Sequence, residues 1–334
     1  MPAEDAPRSQ APVRDVVVVG ASAGGVQVLL DLAASLPAQF PACVLVVLHV
    51  GAHRSVMPEL MSARGPLRAI HPEDGQPLQP GAIFVAPPDH HMLVDDGLIR
   101  LTRGAKENHA RPAIDPLFRT AALACGPRVV GVLLSGRLDD GTAGLQAIKR
   151  CGGLVVVQDP DDAEQPEMPR SAIAHVEVDA CVAGAQLGQV LADLVGRPAA
   201  PPAPTAPREI ALDQAVSLGA GDPMENLNAL GKPSRFACPE CAGVLWELDG
   251  SRPRRYRCHT GHGFTLRSLA HTQQEAIDEA LWGAMRALQE REALLRALAE
   301  DPQEVTGSDS RELISQAERT AVHGEQLRHM IESD

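Results

Sequence analysis

Ser22 sits in Gly20-Ala21-Ser22-Ala23-Gly24, directly after Val16-Val17-Val18-Val19. A turn of the type G-x-S-x-G following a buried strand presents a serine oxygen at the carboxyl end of a sheet, beside the free N–H groups of a helix start. The rival reading is an anion-binding glycine loop. The spacing G-x-G-x-x-G and a P-loop lysine are both missing from this stretch. A nucleophilic serine needs a base and a carboxylate that orients the base. His49 closes the apolar run Cys43–Leu48. Taken alone, such a histidine is more often a hydrogen-bonded edge residue. A further apolar run, Val129–Leu134, leads into Ser135-Gly136-Arg137-Leu138-Asp139-Asp140-Gly141. Either Asp139 or Asp140 then reaches the same rim, unless the pair only caps the following helix. Three strand ends delivering Ser, His and Asp to one rim point to a serine hydrolase. The chain order Ser…His…Asp differs from the Ser…Asp…His of the α/β-hydrolases.

A second constellation lies at Cys238-Pro239-Glu240-Cys241 and Cys258-His259-Thr260-Gly261-His262, with the spacing C-x2-C-x16-C-x3-H. Thiolates and an imidazole on tight turns make a tetrahedral zinc site. Cys238, Cys241 and Cys258 are expected ligands. His262 is preferred over His259 as the fourth, because adjacent residues 258 and 259 point differently on a tight turn. Four protein ligands close the site, so the metal is structural and catalysis needs no cofactor.

These residues must be positioned by elements that the apolar pattern reveals. Runs such as Val16–Val19 read as strands covered on both faces, the mark of a parallel sheet. The expected fold class is α/β, with a doubly wound, mostly parallel sheet in the catalytic domain. A small zinc-ribbon-like module and an α-helical hairpin follow. The expected division is a disordered N-terminus over 1–14, a catalytic domain over 15–196, a proline-rich linker and irregular segment over 197–235, the ribbon-like module over 236–264 and the hairpin over 265–334. The linker holds five prolines in the eleven residues 197–207, a stiff composition. Within 208–235 only a short helix near Met224–Leu230 is expected. The module, of about 30 residues, cannot build an adequate core, so metal would supply the missing stability. Ile277, Leu281, Ala284, Leu288, Leu295 and Leu298 recur at helical spacing, as do Leu313, Ala317, Ala321, Leu327 and Ile331. Such narrow stripes pack on each other, on a second copy or on a partner helix.

Residues 15–195 resemble the catalytic domain of the chemotaxis protein-glutamate methylesterases, the CheB family. The resemblance rests on VVVVGASAGG (16–25), VLVVLH (44–49), PGAIFVAPPDHHMLV (80–94), RPAIDPLFRTAA (111–122), LLSGRLDDGTAGLQAIKRCGG (133–153) and DPDDAEQPEMPRSAI (159–173), in matching order and spacing. It implies Ser22 as nucleophile, His49 as base and Asp140 as orienting carboxylate, since the family places its acid directly before a glycine, here Gly141. Ala23 stands where the family usually has Thr. Arg137-Leu138 stands where it usually has Met-Gly, next to the expected oxyanion site. Ala23, Gly24 and Arg137 are the candidate oxyanion and substrate residues. Family members often carry an N-terminal phospho-receiver; the few residues before the first strand lead us to expect none.

The expected activity is therefore hydrolysis of glutamate γ-methyl esters on a chemoreceptor-type helix, releasing methanol, with side-chain deamidation as a companion reaction. The alternative is a catalytically idle module that binds a signalling partner through its ribbon and hairpin. A third reading, nucleic-acid binding through Arg252, Arg254, Arg255 and Arg257, runs against a net charge of −13. No nucleic acid is expected as partner. There is no 18-residue apolar run or signal peptide, so a cytoplasmic location without membrane insertion is expected. Seven cysteines fit reduced thiols, with Cys43, Cys125, Cys151 and Cys181 as core residues.

Overall fold

The computed structural model describes residues 12–51, 54–201, 207–301, 303 and 307–333. Its strands are β1 (Val16–Ala21), β2 (Cys43–Leu48), β3 (Arg68–Ile70), β4 (Ala82–Val85), β5 (His91–Asp95), β6 (Leu98–Thr102), β7 (Val129–Leu133), β8 (Leu154–Gln158), β9 (Ala180–Val182), β10 (Gly231–Ala237), β11 (Val244–Leu248), β12 (Arg255–Cys258) and β13 (Gly263–Thr265). Its helices are α1 (Gly25–Ser35), α2 (Met57–Arg64), α3 (Ile114–Cys125), α4 (Thr142–Arg150), α5 (Glu167–His175), α6 (Leu187–Leu194), α7 (Arg208–Ser217), α8 (Pro223–Leu230), α9 (Leu266–Glu300) and α10 (Gly307–Ser333).

Seven parallel strands form one sheet in the order β3-β4-β2-β1-β7-β8-β9. The four valines of β1 alternate between two cores. Val16 and Val18 join Ile114, Leu117, Leu145 and Met168 from α3, α4 and α5. Val17 and Val19 join Leu29, Met61, Leu187 and Leu191 from α1, α2 and α6. Helices on both faces explain why β1 has no polar side chain. The chain leaves β1 toward β2 on one side and β7 on the other, so the crevice at the carboxyl end of β1 is the topological switch point where sites form.

A four-stranded antiparallel sheet, β10-β11-β12-β13, makes up the second layer of chemistry. Its core is small: Cys238, Leu245, Tyr256, Cys258, Phe264 and Leu269, with Phe236 against them. The compact unit runs as far as Leu269. Two features of 208–235 differ from the sequence reading. Residues 208–217 form α7, and 231–237 form β10. The apolar period missed α7 because the face it buries is largely polar: Asp213, Gln214 and Ser217 lie inside together with Ile210 and Val216. Cys43, Cys125 and Cys151 are buried as expected, but Cys181 is exposed, because β9 is the sheet's edge. Residues 1–11 of the N-terminal segment and 202–206 of the proline-rich stretch lie outside the described residues; Val13 bridges Pro198.

From Ala270 onward the chain forms a separate unit. Within it α9 and α10 run antiparallel: Ser310 Oγ donates to Ala299 O at 2.7 Å, and Gly324 lies against Leu288. Leu295 and Ala317 are buried there, while Ile277 and Trp282 are exposed. Among the described residues no helix is long and apolar enough to cross a membrane.

A buried ionic cluster of two carboxylates and three guanidinium groups fastens the four-stranded sheet to the larger one. Glu107 accepts from Arg119 at 2.6 Å and from Arg257 at 2.9 Å; Asp213 accepts from Arg257 at 2.6 Å and from Arg255 at 2.7 Å. Arg257 is fully buried and also donates to Gly261 O. Two of the clustered arginines thus face inward rather than toward a nucleic acid. Burial alone would raise both carboxyls. The charges of Arg119 and Arg257 on Glu107, and of Arg255 and Arg257 on Asp213, outweigh it and hold both below the usual range. Removing one partner of such a set leaves a buried charge uncompensated. Arg257→Ala should therefore cost about 3–5 kcal/mol, read as a lower urea midpoint at pH 7. Since both carboxyls are depressed on folding, that contribution is present above their unfolded values of about 4 and fades as pH falls below them. The gap between wild type and Arg257→Ala should narrow below pH 4; an equal gap at pH 3 and pH 7 would count against the cluster.

Candidate active site

Ser22 follows β1 directly, and the turn to α1 closes at Gly24, which adopts φ 75° as the helix N-cap. A side chain on Gly24 would also approach Ser135 Oγ to 2.6 Å, so glycine is required there on two counts. Ser22 N donates to Ser135 O at 2.9 Å, and Ser135 Oγ donates to Ala23 O at 2.8 Å. The segment after β7 therefore clasps the serine turn. Gly136 packs so close that a Cβ on it would lie 2.9 Å from Ser22 Cβ.

His49, the first residue past β2, brings Nδ1 to 3.2 Å from Ser22 Oγ and Nε2 to 2.8 Å from Asp140 Oδ2. The ring uses its nitrogens in the reverse sense from the chymotrypsin arrangement, where Nε2 faces the serine. With Nε2–H given to the carboxylate, Nδ1 is left to accept the serine proton.

Asp140 is buried and accepts five hydrogen bonds. Oδ2 takes His49 Nε2 and Ile114 N (2.7 Å); Oδ1 takes Asn108 Nδ2 (2.9 Å), Gly141 N (2.9 Å) and Asp115 N (3.2 Å). Two of these donors are the first N–H groups of α3, whose dipole favours a negative charge. Burial pushes this carboxyl up, but the His49 contact, the Ile114 N–H and Asn108 outweigh it and hold it below its usual value. Asp115 goes the other way: burial and the neighbouring Asp140 charge raise it well above the carboxylate range. Asp139 points away from His49 and accepts Thr265 Oγ1 at 2.6 Å. Of the two candidate acids, only Asp140 meets the histidine.

Arg137 is exposed beside Gly136, and Ala23 is exposed on the serine turn. Leu138 takes φ 62°, a left-handed conformation that suits glycine better, and is held there by donating its N–H to Glu167 Oε2 at 2.7 Å. Asn108, Ser135 and Glu167 carry the site yet gave no sequence signal, since a lone Asn or Glu in a loop has no spacing to distinguish it.

A comparison of the sequence with protein families finds the CheB methylesterase family over residues 17–191. The chain belongs to this family. It is 36% identical over 171 residues to a putative protein-glutamate methylesterase/protein-glutamine glutaminase of Leptospira interrogans, covering 49% of this chain and 86% of that one. It is 34% identical over 171 residues to protein-glutamate methylesterase/protein-glutamine glutaminase 2 of Methanosarcina mazei, covering 48% of this chain and 47% of that one. The crystal structure of the Thermotoga maritima CheB methylesterase catalytic domain superposes with a TM-score of 0.52 at 30% identity, over 54% of this chain and 98% of that one. The CheB match ends before the four-stranded sheet.

In that sheet Cys238, Cys241, Cys258 and His262 bring their ligand atoms within 4.8 Å of one another. A tetrahedral zinc with bonds of about 2.3 Å to sulfur needs ligand atoms roughly 3.8 Å apart. Cys241 and Cys258 Sγ lie 3.7 Å apart, and His262 Nδ1 lies 3.5 Å from Cys258 Sγ. The donor set and its spacing fit zinc. His259 is exposed and packs against Gly243 instead. Thr260 Oγ1, unmarked in the sequence, reaches Cys258 Sγ at 2.9 Å and Cys241 Sγ at 3.2 Å. Purified full-length chain should carry about one zinc, and Cys238→Ser should lose most of it by elemental analysis. Undiminished zinc in that variant would place the metal elsewhere.

Proposed function

We propose that the chain is a serine esterase that hydrolyses γ-methyl esters of glutamate on chemoreceptor-type proteins, with deamidation of glutamine side chains at the same site. The observation that carries this reading is the contact of His49 with both Ser22 and Asp140 at the carboxyl ends of the central strands β1, β2 and β7, in a chain of the CheB family. The names of the Leptospira and Methanosarcina relatives, protein-glutamate methylesterase/protein-glutamine glutaminase, support the glutamate ester and glutamine amide as reacting groups.

In this reading His49 Nδ1 takes the Ser22 proton as Oγ attacks the ester carbonyl carbon. Asp140, fixed by α3, holds Nε2–H and stabilises the imidazolium. Backbone N–H groups at Ala23, Gly24 and Arg137 are the proposed donors to the oxyanion. The tetrahedral intermediate expels methoxide, which receives the proton from His49 and leaves as methanol. Water, deprotonated by His49, then cleaves the acyl–Ser22 bond and frees the glutamate carboxylate. A glutamine substrate follows the same steps with ammonia as leaving group. The metal cluster has no part in these proton transfers. Zinc, when bound, would supply structural cross-linking of the turns at 238–241 and 258–262.

Ser22→Ala and His49→Ala should each reduce methanol release from a methylated receptor fragment by roughly 10³–10⁶-fold, with Asp140→Asn losing less than Ser22→Ala. Comparable melting temperatures would show that the fold persists. Near-normal turnover by Ser22→Ala would overturn the assignment.

A further inference from the structure

The loop between β6 and α3 carries an asparagine whose amide is committed on every side. Asn108 Nδ2 donates to Asp140 Oδ1 at 2.9 Å and to Asp115 Oδ2 at 3.2 Å. Its Oδ1 accepts Ser268 Oγ at 2.8 Å and Thr265 N at 3.1 Å. The amide thus joins two acidic side chains on the catalytic side to the end of β13 on the other. This orientation is enforced, because the flipped amide would set its oxygen against the Asp140 carboxylate and its N–H groups against the Thr265 N–H.

The loop does not hold this shape alone. Asn108 and His109 are consecutive non-glycine residues with φ of 50° and 61°, the central pair of a tight turn closed by backbone hydrogen bonds between Glu107 and Ala110. Arg119 of α3 and Ser217 of α7 hold Glu107 from one side, and the four-stranded sheet holds the turn from the other. Asn108 N donates to Gly263 O at 2.8 Å, and Glu107 bridges Gly263 in parallel register. The Glu107 carboxylate takes Arg257 from the same sheet. A further tie reaches Asp139, next to Asp140, through the 2.6 Å bond from Thr265 Oγ1. Gly263 directly follows His262 with Thr265 two residues further on, and Arg257 directly precedes Cys258. Both grips on the loop therefore flank the Cys258–His262 turn of the metal cluster.

We propose that Asn108 is a positioning residue for Asp140, held in place by the four-stranded sheet, so that the metal cluster governs the reactivity of Ser22 without touching it. This rests on the serine-hydrolase reading above. Fixing the Cys258–His262 turn fixes the strand that follows it. That strand holds Asn108, and Asn108 holds the carboxylate that orients His49. A sheet with so small a core depends on its metal for rigidity. Loss of metal then loosens Asp140 while the parallel sheet stays folded.

The test uses the full chain as wild type, Asn108→Ala and Ser268→Ala, each with zinc and after removal of zinc by a chelator. Three quantities are read: the rate at which a fluorophosphonate probe labels Ser22, kcat and KM on a γ-methyl glutamyl peptide, and the melting temperature. Exchange of cobalt for zinc reports cluster occupancy through thiolate-to-cobalt absorption. Asn108→Ala should lower labelling and kcat by about 10–100-fold with KM nearly unchanged, the scale typical of groups that orient a catalytic residue. Ser268→Ala should give a smaller fall in the same direction. Removing zinc from wild type should reproduce the Asn108→Ala effect and be reversed by zinc. Removing zinc from Asn108→Ala should add little, because the two act through one path. Full labelling by Asn108→Ala, or by metal-free wild type that is still folded, would overturn the proposal. So would metal and Asn108 effects that simply multiply. If chelation unfolds the chain, Asn108→Ala and Ser268→Ala with zinc bound decide the matter. Wild-type chain that fails to label at all would overturn the serine-hydrolase reading itself, and this proposal with it.

Discussion

Asp140 carries a negative charge into the interior, beside a second acidic residue, Asp115. A buried charge is tolerated only when it is paired and hydrogen-bonded. Five donors converge on this carboxyl: one from His49, two from the start of α3, one from Gly141 and one from Asn108. They come from four parts of the chain, so the folds of β2, β7, α3 and the 104–113 loop all answer to this one group. Asp115 is pushed the other way: burial and the neighbouring Asp140 charge raise its carboxyl well above the usual range. His49 then has one strong acceptor on Nε2 and one free nitrogen toward Ser22.

Much of this was legible in the sequence because β1, β2 and β7 are apolar throughout. Val16–Val19 could be placed in a two-faced sheet, and the residues following each strand were then bound to share a rim. The G-x-S-x-G turn, the histidine after Leu48 and the acid before Gly141 all occupy the expected positions. What spacing alone left open was which of Asp139 and Asp140 meets His49, and which ring nitrogen faces the serine. Both depend on the pitch of the turn after β7, where Leu138 takes a left-handed conformation held by Glu167. The family likeness chose Asp140, whose Oδ2 lies 2.8 Å from His49 Nε2.

The rest was hidden because its burial is polar. Helix α7 has no apolar stripe, since it turns Asp213, Gln214 and Ser217 inward to meet Arg119, Arg255, Arg257 and Glu107. Hydrophobic periodicity cannot register a face whose partners are charges. The same blindness covered Asn108, Thr265 and Ser268. The cysteine spacing was legible, and so was the choice of His262, but the attachment of that sheet to the catalytic loop was not.

The most direct measurement follows methanol and covalent adduct together after full-length chain is mixed with a γ-methyl glutamyl peptide and quenched rapidly. Methanol release accompanied by a transient peptide adduct on Ser22, located by tandem mass spectrometry, is expected, with neither signal from Ser22→Ala. Methanol release at the wild-type rate by Ser22→Ala would contradict the role of Ser22 as nucleophile.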